Sequence, residues 1–599
     1  MTKRKKLWLL LGLLFFIAAS AVLAIRHKYY VKKLLKSNPV TYTLAKSAVK
    51  LKYQLSRLVS SAETEPAQRL PDLTKDSWTI TVDASQSIGK LNKFWAGLGY
   101  ESWKNGVLSA RNRQLFELIK ASNKRAPGSF RFVRAHNLFS DGKPPFGEGL
   151  KIYQEDAAGR PVYNWALLDR VFDRIVEAGL IPIVEFGFMP DALASIPDRR
   201  QKWGKGNISP PKDYKKWGAL VKATVEHLVE RYGRDRVLSW YFEVWNEPDL
   251  GYLFWIEDEQ NPHMGDMEAY FQLYDHTVRA AKSALPGIRI GGPASAGGGI
   301  DLLLEHLVLK RKRPQDIGFV STHIYGKVGY SPEEDKSILH GLSWKLSRAY
   351  AHDHPRVRET MARLPVLLTE IGPWTRANRL HNSNYLAAWL VKMVDGLLYL
   401  SQTREGWKVP EVTIFWSSFQ VDKYFKEKSG VATAIPVQGG GELIVKRPVF
   451  NAFEALGYLG SERLQTGGEA QFGEKVHLLA TKNQKNEIQI LLYHLNEWDG
   501  EALNQDTSRI QLHVENVPFQ RYDLEMFRID AEHSNGYMQW IQMGSPRSLT
   551  RSQARSLDSR DDLQRVEHKK GVPLPGSRLE LNLDLVSGGL ILILIKKAG

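Results

Sequence analysis

The chain has 599 residues, of which 43% are hydrophobic and 25% charged, a globular composition that is too long for one ordinary domain. It contains no cysteine, which excludes disulfides, thiolate metal sites and thiol catalysis. The formal net charge is +17, but residues 1–61 hold 13 lysines and arginines and no acidic residue. The remaining residues carry only +4, so the sequence predicts no nucleic-acid partner.

The N-terminus holds an apolar segment between two groups of basic residues. Residues 7–25 form this segment, and 19 residues of helix can cross a hydrocarbon core of about 30 Å. Small residues near its end, Ala19, Ser20 and Ala21, leave a cleaved signal peptide as an alternative. Residues 1–30 are therefore predicted to be a membrane anchor or a signal peptide. Basic residues flank the segment on both sides, so the positive-inside rule does not choose an orientation. We expect a single-pass inner-membrane protein whose folded part faces the periplasm or exterior. The alternative is a secreted protein.

Residues 31–76 are predicted to be a basic stalk and a polar linker, and the folded body follows them. From residue 92 to 425, short apolar runs alternate with helical patterns, which predicts parallel strands joined by helices. The predicted strands are 94–99, 130–135, 181–186, 238–244, 288–292, 319–324, 366–370 and 412–416. Eight strands indicate a (β/α)8 TIM barrel of the α/β class. A doubly wound open sheet is the alternative, but no glycine fingerprint follows the first strand.

The pattern changes in the C-terminal part of the chain. Short alternating runs dominate residues 426–599, which predicts an accessory antiparallel β-sandwich. Residues 77–91 are predicted to form a strand that joins this sandwich from before the barrel. Residues 542–572 are rich in serine, arginine and aspartate, and we expect a long loop there.

Polar residues recur at the C-terminal ends of the predicted barrel strands, where barrel enzymes place their active sites. Two carboxylates follow strongly apolar runs: Glu247 in YFEVWNEPDL and Glu370 in LPVLLTEIGPW. Each must be paired, hydrogen-bonded or shifted in pKa. One acid held protonated beside one held ionised is what cleavage of a glycosidic bond requires. The other strand-end residues are Arg134, His136, Glu185, Asn246, His323, Tyr325 and Trp416.

The segment that contains Glu247 also resembles a known family. Residues 207–250, NISPPKDYKKWGALVKATVEHLVERYGRDRVLSWYFEVWNEPDL, are similar to glycoside hydrolase family 39, which includes β-xylosidases, α-L-iduronidases and bacterial exopolysaccharide glycosidases. Further matching segments are FVRAHNLF (132–139), VEFGFMP (184–190), STHIYG (321–326), LLTEIGPW (367–374) and KRPVFNAFEALGYLG (446–460). The resemblance spans residues 78–460 and implies a retaining glycosidase built on a barrel.

The resemblance implies a role for each residue nearest the reacting bond. Glu247 would be the general acid/base and Glu370 the nucleophile. Asn246 would hydrogen-bond the 2-hydroxyl of the sugar. Tyr325 would donate to Glu370, and Arg134 would lower the pKa of Glu370 by its charge.

The resemblance also places residues around the sugar ring. His136 and His323 would contact hydroxyl groups, and Trp416 would form the apolar floor of the central subsite. Glu185 is expected to have a structural role, directed into the barrel or at Arg134. No metal site, phosphate loop or cofactor motif is evident, so we predict a metal-free and cofactor-free enzyme.

The substrate is predicted less sharply than the chemistry. Iduronidase-like enzymes carry a basic cluster where this chain reads HIYGKVGY, and the segment FQVDKYFKEKSG after Trp416 departs from the xylosidase pattern. With the predicted anchor, these departures favour a bacterial exopolysaccharide or cell-envelope glycan. A β-xylosidase-like exo-glycosidase is one alternative. A catalytically inactive glycan-binding scaffold in a polysaccharide assembly is an alternative of another class, and the sequence identifies no protein partner.

Overall fold

The structure is a computed structural model, and it describes residues 75–142, 149–201, 206–254, 267–326, 338–373, 382–404, 406–416, 418–419, 421–425, 430–495 and 506–599. The predicted anchor at residues 7–25 and the stalk lie outside these described residues. Among the helices within them, none combines the length and the apolar character needed to cross a bilayer.

The centre of the described structure is a closed barrel of parallel strands. Strand β1 (Ser77–Lys90) precedes it and belongs to a peripheral sheet. The strands that follow are β2 (Gly97–Tyr100), β3 (Phe132–Ala135), the hairpin strands β4 (Tyr153–Glu155) and β5 (Pro161–Tyr163), β6 (Ile181–Phe186), β7 (Tyr241–Val244), β8 (Ile290–Ser295), β9 (Val320–Tyr325), β10 (Val366–Gly372) and β11 (Val412–Phe415). Apart from the hairpin, they close in the order β10-β11-β2-β3-β6-β7-β8-β9. All eight predicted strands occur, which confirms the TIM barrel.

Helices on the outside of the barrel return the chain from the end of one strand to the start of the next. They are α1 (Trp103–Leu108), α2 (Ala110–Arg125), α3 (Ala166–Glu177), α4 (Tyr214–Tyr232), α5 (Arg234–Leu238), α6 (Met267–Ala284), α7 (Ile300–Leu304), a π-helical segment (Glu305–Lys310), α8 (Ile338–Tyr350), α9 (Pro355–Arg363) and α10 (Asn384–Thr403). Local sequence fixes the ends of α4. The Asp213 side chain accepts from the first backbone amides, and Gly233 follows the last turn with φ of 85°. Helix α4 buries Trp217, Leu220 and Val221 against the barrel side.

A three-stranded sheet follows the barrel. Its strands are β12 (Val421–Lys423), β13 (Ala432–Pro436) and β14 (Glu442–Lys446), and helix α11 (Pro448–Gly457) comes next. Strand β13 pairs with both neighbours, parallel to β12 and antiparallel to β14. The predicted boundary between residues 425 and 426 falls inside this sheet, and the division into domains stays a prediction.

The C-terminal part forms a nine-stranded sheet together with β1. Its later members are β15 (Glu462–Gly468), β16 (Val476–Lys482), β17 (Ile488–His494), β18 (Thr507–Glu515), β19 (Arg521–Ile529), β20 (Gln564–Pro573), β21 (Leu579–Val586) and β22 (Leu590–Lys597). The order is β20-β19-β22-β17-β16-β15-β1-β18-β21. Inward-facing residues from across the sheet, such as Trp78, Ile490 and Leu512, share one core.

Two features of this region differ from the sequence expectation. The pair β1 and β18 is parallel. Strand β1 precedes the barrel and is not joined to β18 by a hairpin, which would require antiparallel pairing. The prediction of a long loop at residues 542–572 is wrong. After helix α12 (Gly536–Gln542), this segment contains helix α13 (Arg551–Asp558) and most of β20. A Thr550–Gln553 capping box starts α13, and β20 is an exposed edge strand, so its polar composition hides its pairing.

Candidate active site

Glu247 follows β7 and Glu370 lies on β10, both at the C-terminal mouth of the barrel, and these two strands are not neighbours in the barrel order. Strand β7 ends at Val244, and the chain then adopts left-handed backbone at Trp245 and Glu247, with φ of 68° and 46°. The Glu247 amide donates to the Ala294 carbonyl at 3.0 Å. One carboxylate oxygen of Glu247 lies within 4.8 Å of one of Glu370. This spacing brings both carboxyl groups to one reacting centre.

Arg134 on β3 connects the polar residues beneath the mouth. Its fully buried guanidinium donates to Glu370 at 3.1 Å and to the Asn246 side-chain oxygen at 2.9 Å. It also donates to Glu185 at 2.8 Å and to Glu243 at 2.7 Å. Arg134 therefore balances several buried carboxylates at once. The expected contact between Glu185 and Arg134 is present.

Glu370 is surrounded by groups that favour its ionised form. Tyr325 on β9 donates its hydroxyl to one oxygen at 2.6 Å, and His136 Nε2 lies 3.4 Å from the other. Burial alone would raise the pKa of Glu370. His323, which becomes charged only in acid, and the positively charged His136 and Arg134 hold that pKa well below its usual range. Glu370 is therefore a carboxylate across the neutral range.

Glu247 has the opposite electrostatic setting. Burial, followed by the negative charges of Glu370 and Asp249, raises the pKa of Glu247 well above its usual range. His323 Nδ1 lies 2.8 Å from Glu247 Oε1, and burial lowers the pKa of His323 well below its usual range. A neutral imidazole therefore faces a carboxylic acid. The two glutamates are held in different protonation states by their surroundings.

Trp416 follows β11 and covers the barrel interior beside His136. Its ring centroid is 4.5 Å from that of His136, and the Arg134 guanidinium lies 5.3 Å from the indole. Trp416 Nε1 donates to Glu101 at 3.3 Å. Only 7% of the side chain is exposed, and the lower part packs on apolar side chains of the barrel interior. The indole thus has both a core contact and an edge at the mouth.

The predicted site residues all enter this one network. Arg134, His136, Asn246, Glu247, His323, Tyr325, Glu370 and Trp416 are each within contact distance of at least one other member. Their individual roles stay predictions.

Sequence reasoning missed several members of the site. Glu243 is a fully buried carboxylate inside β7 that accepts from Arg134 and from Thr369. A charged residue within the apolar run YFEV is the signal that could have identified it. Asp249 and Lys345 were also missed, because Asp249 is in a turn and Lys345 is on a helix 98 positions from Glu247 in the sequence.

Among the described residues, one group offers a metal ion three ligand atoms within 4.8 Å of one another: Glu247, His323 and Glu370. The charge of Glu370 is already balanced by Arg134, and burial keeps Glu247 protonated. This chemistry fits an acid paired with a carboxylate better than a cation site, which would need both carboxylates ionised. The absence of a metal requirement stays a prediction.

Comparison with known sequences gives a consistent result. The sequence matches the model of glycosyl hydrolases family 39 over residues 78–576. It is 30% identical to a β-xylosidase of Geobacillus stearothermophilus over 443 residues, which cover 72% of this chain and 80% of that protein. It is 27% identical to a β-xylosidase of Caldicellulosiruptor saccharolyticus over 545 residues, covering 86% of this chain and 98% of that protein.

A solved structure agrees with the fold. A monomeric β-xylosidase from Caulobacter crescentus CB15 superposes with a TM-score of 0.70 at 24% identity, covering 87% of this chain and 100% of that one. At this identity the likeness supports the architecture of barrel and accessory sheet.

Proposed function

Because the chain belongs to family 39 of the glycosyl hydrolases and is a retaining glycosidase, we propose that Glu247 is its acid/base and Glu370 its nucleophile. The observation that carries this assignment is the pair of carboxyl groups with oxygens within 4.8 Å and opposite protonation states. Retaining enzymes place these groups about 5–5.5 Å apart, whereas inverting enzymes leave about 6.5–9.5 Å for a water molecule.

In the first step, Glu370 attacks the anomeric carbon and the bond to the leaving oxygen breaks. Glu247 gives its proton to that oxygen, and a glycosyl ester forms on Glu370. The negative charge of Glu370 disappears in this ester. Since that charge contributes to the raised pKa of Glu247, the pKa of Glu247 falls as the ester forms.

In the second step, Glu247 acts as a base. Its carboxylate accepts a proton from water while the water oxygen attacks the anomeric carbon, and the bond to Glu370 breaks. The sugar leaves with its original anomeric configuration, Glu247 is again protonated, and Glu370 is again ionised. The same pair of residues therefore resets itself in each cycle.

The neighbouring residues support these steps in distinct ways. Arg134 donates to the side-chain oxygen of Asn246. The amide nitrogen of Asn246 is therefore the group directed at the sugar, where it would donate to the 2-hydroxyl. Tyr325 fixes one oxygen of Glu370 by a short hydrogen bond. His136 and His323 would contact sugar hydroxyls, and the exposed edge of Trp416 would face the ring. These contacts supply orientation and selective stabilisation of the transition state.

For the substrate, a β-xylosidase-like activity has the broadest support. Two proteins described as β-xylosidases match most of this chain and most of their own length. We further propose that residues 92–425 are the catalytic domain and residues 426–599 the accessory one.

A bacterial exopolysaccharide or cell-envelope glycan is the second candidate. The three-stranded sheet β12–β14 is attached next to Trp416, where Val431 donates to the Ser418 carbonyl at 3.1 Å, and α13 packs on it. This sheet borders the mouth and can extend a binding cleft for a polymer. The predicted anchor at residues 7–25 would hold the enzyme near such a glycan.

The catalytic assignment is tested by trapping and rescue. A 2-fluoro β-xyloside with a good leaving group should inactivate the full chain and leave a glycosyl ester on Glu370, located by mass spectrometry. Glu247→Ala should hydrolyse xylosides with poor leaving groups far more slowly. With an activated xyloside, whose ester on Glu370 still forms, azide should restore turnover by attacking that ester and yield a glycosyl azide of retained configuration. An ester on another residue, or full activity of Glu247→Ala, would contradict the assignment.

The substrate is tested with the full chain purified in detergent. Xylo-oligosaccharides and the polysaccharide of the producing organism are incubated separately, and products are measured by mass spectrometry. Release of single pentoses supports the β-xylosidase-like activity. Oligosaccharides released from the polysaccharide alone support the second candidate.

A further inference from the structure

A lysine is buried behind Glu247, at a position where charged side chains are rarely found. Lys345 on α8 is 9% exposed. Its amine donates to the carbonyl of Ala296 at 2.5 Å and to the carbonyl of His323. These carbonyls lie at the C-terminal ends of β8 and β9. One amine therefore joins two neighbouring barrel strands at the mouth.

Both joined segments continue to Glu247. On one side, the amides of Ala296 and Gly297 donate to the two carboxylate oxygens of Asp249, at 3.0 and 2.7 Å. Asp249 is two residues after Glu247 in the same turn. On the other side, the His323 ring lies 2.8 Å from the Glu247 carboxyl group. Lys345 thus reaches Glu247 by two hydrogen-bonded routes.

We propose that Lys345 and Asp249 are a pair of positioning residues that hold Glu247 in place and, by their opposite charges, decide the pH at which it releases its proton. The proposal rests on the assignment of Glu247 as the acid/base. Neither group is itself directed at the reacting bond, because Lys345 binds backbone carbonyls and Asp249 binds backbone amides.

The charges act on Glu247 in opposite directions. The Asp249 carboxylate disfavours the ionised form of Glu247, and the Lys345 ammonium group favours it. Burial lowers the pKa of Lys345 to about 8, against the opposing charges of Asp249 and Glu247. Lys345 is therefore charged at neutral pH and loses that charge in mild alkali.

Other titratable or charged groups surround Glu247 in the described part of the chain. They are Glu370 on β10, His323 and Tyr325 on β9, Arg134 on β3 with His136 after it, and Tyr252 in the turn after β7. The groups on β3 and β9, and His136 after β3, also contact Glu370. Changing one of them would disturb the nucleophile, whereas Lys345 and Asp249 can be changed while the contacts of Glu370 are kept.

The test measures the protonation of Glu247 directly, without a substrate. The full chain is labelled with glutamate carrying carbon-13 at the side-chain carboxyl, and the Glu247 resonance is assigned by its loss in Glu247→Gln. Carbon-13 shifts are followed against pH for Lys345→Met, Asp249→Asn and the unchanged protein. We expect the pKa of Glu247 to rise by about 0.5–1 unit in Lys345→Met and to fall by a similar amount in Asp249→Asn.

Lys93 offers a matched control. Its amine donates to the carbonyls of Pro127, at 2.6 Å, and Gly457, and burial lowers the pKa of Lys93 to about 8. It precedes β2, at the end of the barrel opposite Glu247. Lys93→Met should reduce stability as Lys345→Met does, while the pKa of Glu247 stays unchanged.

Opposite shifts in the two variants support the proposal, and equal or absent shifts overturn it. If Lys345→Met does not fold, the result for Asp249→Asn decides alone. In Lys345→Arg, the pKa of Glu247 is expected to stay unchanged.

The kinetics should follow the same shifts. The basic limb of kcat/KM on 4-nitrophenyl β-D-xyloside should move with the measured pKa of Glu247. Failure of the assigned function is seen separately, as full activity of Glu247→Gln, whatever the carbon-13 shifts show.

Discussion

At the scale of single residues, His136 lies between two carboxylates of the site. Its Nδ1 lies 2.7 Å from Glu185, and its Nε2 lies 3.4 Å from Glu370. Burial favours the neutral ring, but the charge of Glu185 and the hydrogen bonds to both carboxylates raise the pKa of His136 to about 10. The imidazole is therefore positively charged across the neutral range and belongs to the charge balance of the nucleophile.

His136→Gln should narrow the pH range of activity from the acid side. Removing the positive charge raises the pKa of Glu370, which must be ionised to attack, so the acid limb of kcat/KM should move up by about one pH unit. Activity then disappears at a higher pH than in the unchanged protein. His227→Gln, which changes a histidine paired with Asp169 on the outer helices, is the control. An unmoved acid limb in His136→Gln would contradict this role.

Tyr325→Phe should slow the reaction with little change in the fold. The lost hydrogen bond goes to an ionised carboxylate, and such bonds contribute about 1.5–3 kcal/mol, so kcat/KM should fall about 10- to 100-fold. Steady-state kinetics and thermal unfolding are measured together. Tyr270→Phe is matched, since Tyr270 is a buried tyrosine of the same barrel that donates to the neutral Val244 carbonyl. A larger loss of kcat/KM in Tyr270→Phe would argue against the electrostatic explanation.

At the scale of elements, the position of Trp416 depends on Gly99, a residue without a side chain in β2. A Cβ at Gly99 would lie 2.3 Å from Trp416 Cε3 and 2.8 Å from a side-chain carbon of Ile414. Strands β2 and β11 are neighbours in the barrel, so this glycine leaves the space beside β2 that the indole occupies. The shape of the mouth is therefore set partly by a residue with no functional group.

Gly99→Ala should displace the indole and weaken substrate binding. We expect an increase of KM and a change in tryptophan fluorescence, with a stability loss of about 1–3 kcal/mol from overpacking. Gly218→Ala on α4 is the control, because its Cβ would meet Ala280 at 3.7 Å, an ordinary contact. That change should stabilise the helix by about 0.5–1 kcal/mol. An unchanged KM in Gly99→Ala would contradict the proposal that the position of Trp416 affects substrate binding.

The sequence predicted elements well where pattern and burial coincide. Strands such as β6 and β10 are apolar runs buried on both faces, and the polar ends of β3, β7 and β10 identify Arg134, Glu247 and Glu370 as one site. It could not predict the parallel pairing of β1 with β18 or the edge strand β20, since these depend on long-range contacts. The place of Lys345 in the site could not be predicted for the same reason. A single lysine on a helix has no sequence pattern that indicates which carbonyls it will bind.

At the scale of the whole molecule, the barrel and the nine-stranded sheet form one body. Strand β1 comes before the barrel and β15–β22 come after it, so the sheet is assembled from both ends of the described chain. Asp395 on α10 lies 2.5 Å from His477 on β16 and accepts from Tyr493 on β17 at 2.8 Å. The barrel and the sheet are thus joined by buried polar contacts in addition to the chain itself.

Barrel and sheet should unfold together. Asp395→Ala removes one hydrogen-bond acceptor from both His477 and Tyr493, which should lower stability by about 1–3 kcal/mol while calorimetry still shows one transition. The pH profile of kcat/KM should not change. Glu226→Ala removes an exposed pair with Lys222 and should cost less than about 1 kcal/mol. Two well-separated transitions would show that the sheet is an independent unit.

The left-handed backbone at Glu247 has a consequence for how this protein responds to selection. A residue other than glycine in this conformation costs about 1–2 kcal/mol, and Glu247 is in addition a buried acid next to a buried carboxylate. Glycine at this position would relieve both costs at once. A library screened for thermal stability alone should therefore enrich Glu247→Gly, and the catalyst would be exchanged for a more stable protein without catalytic activity.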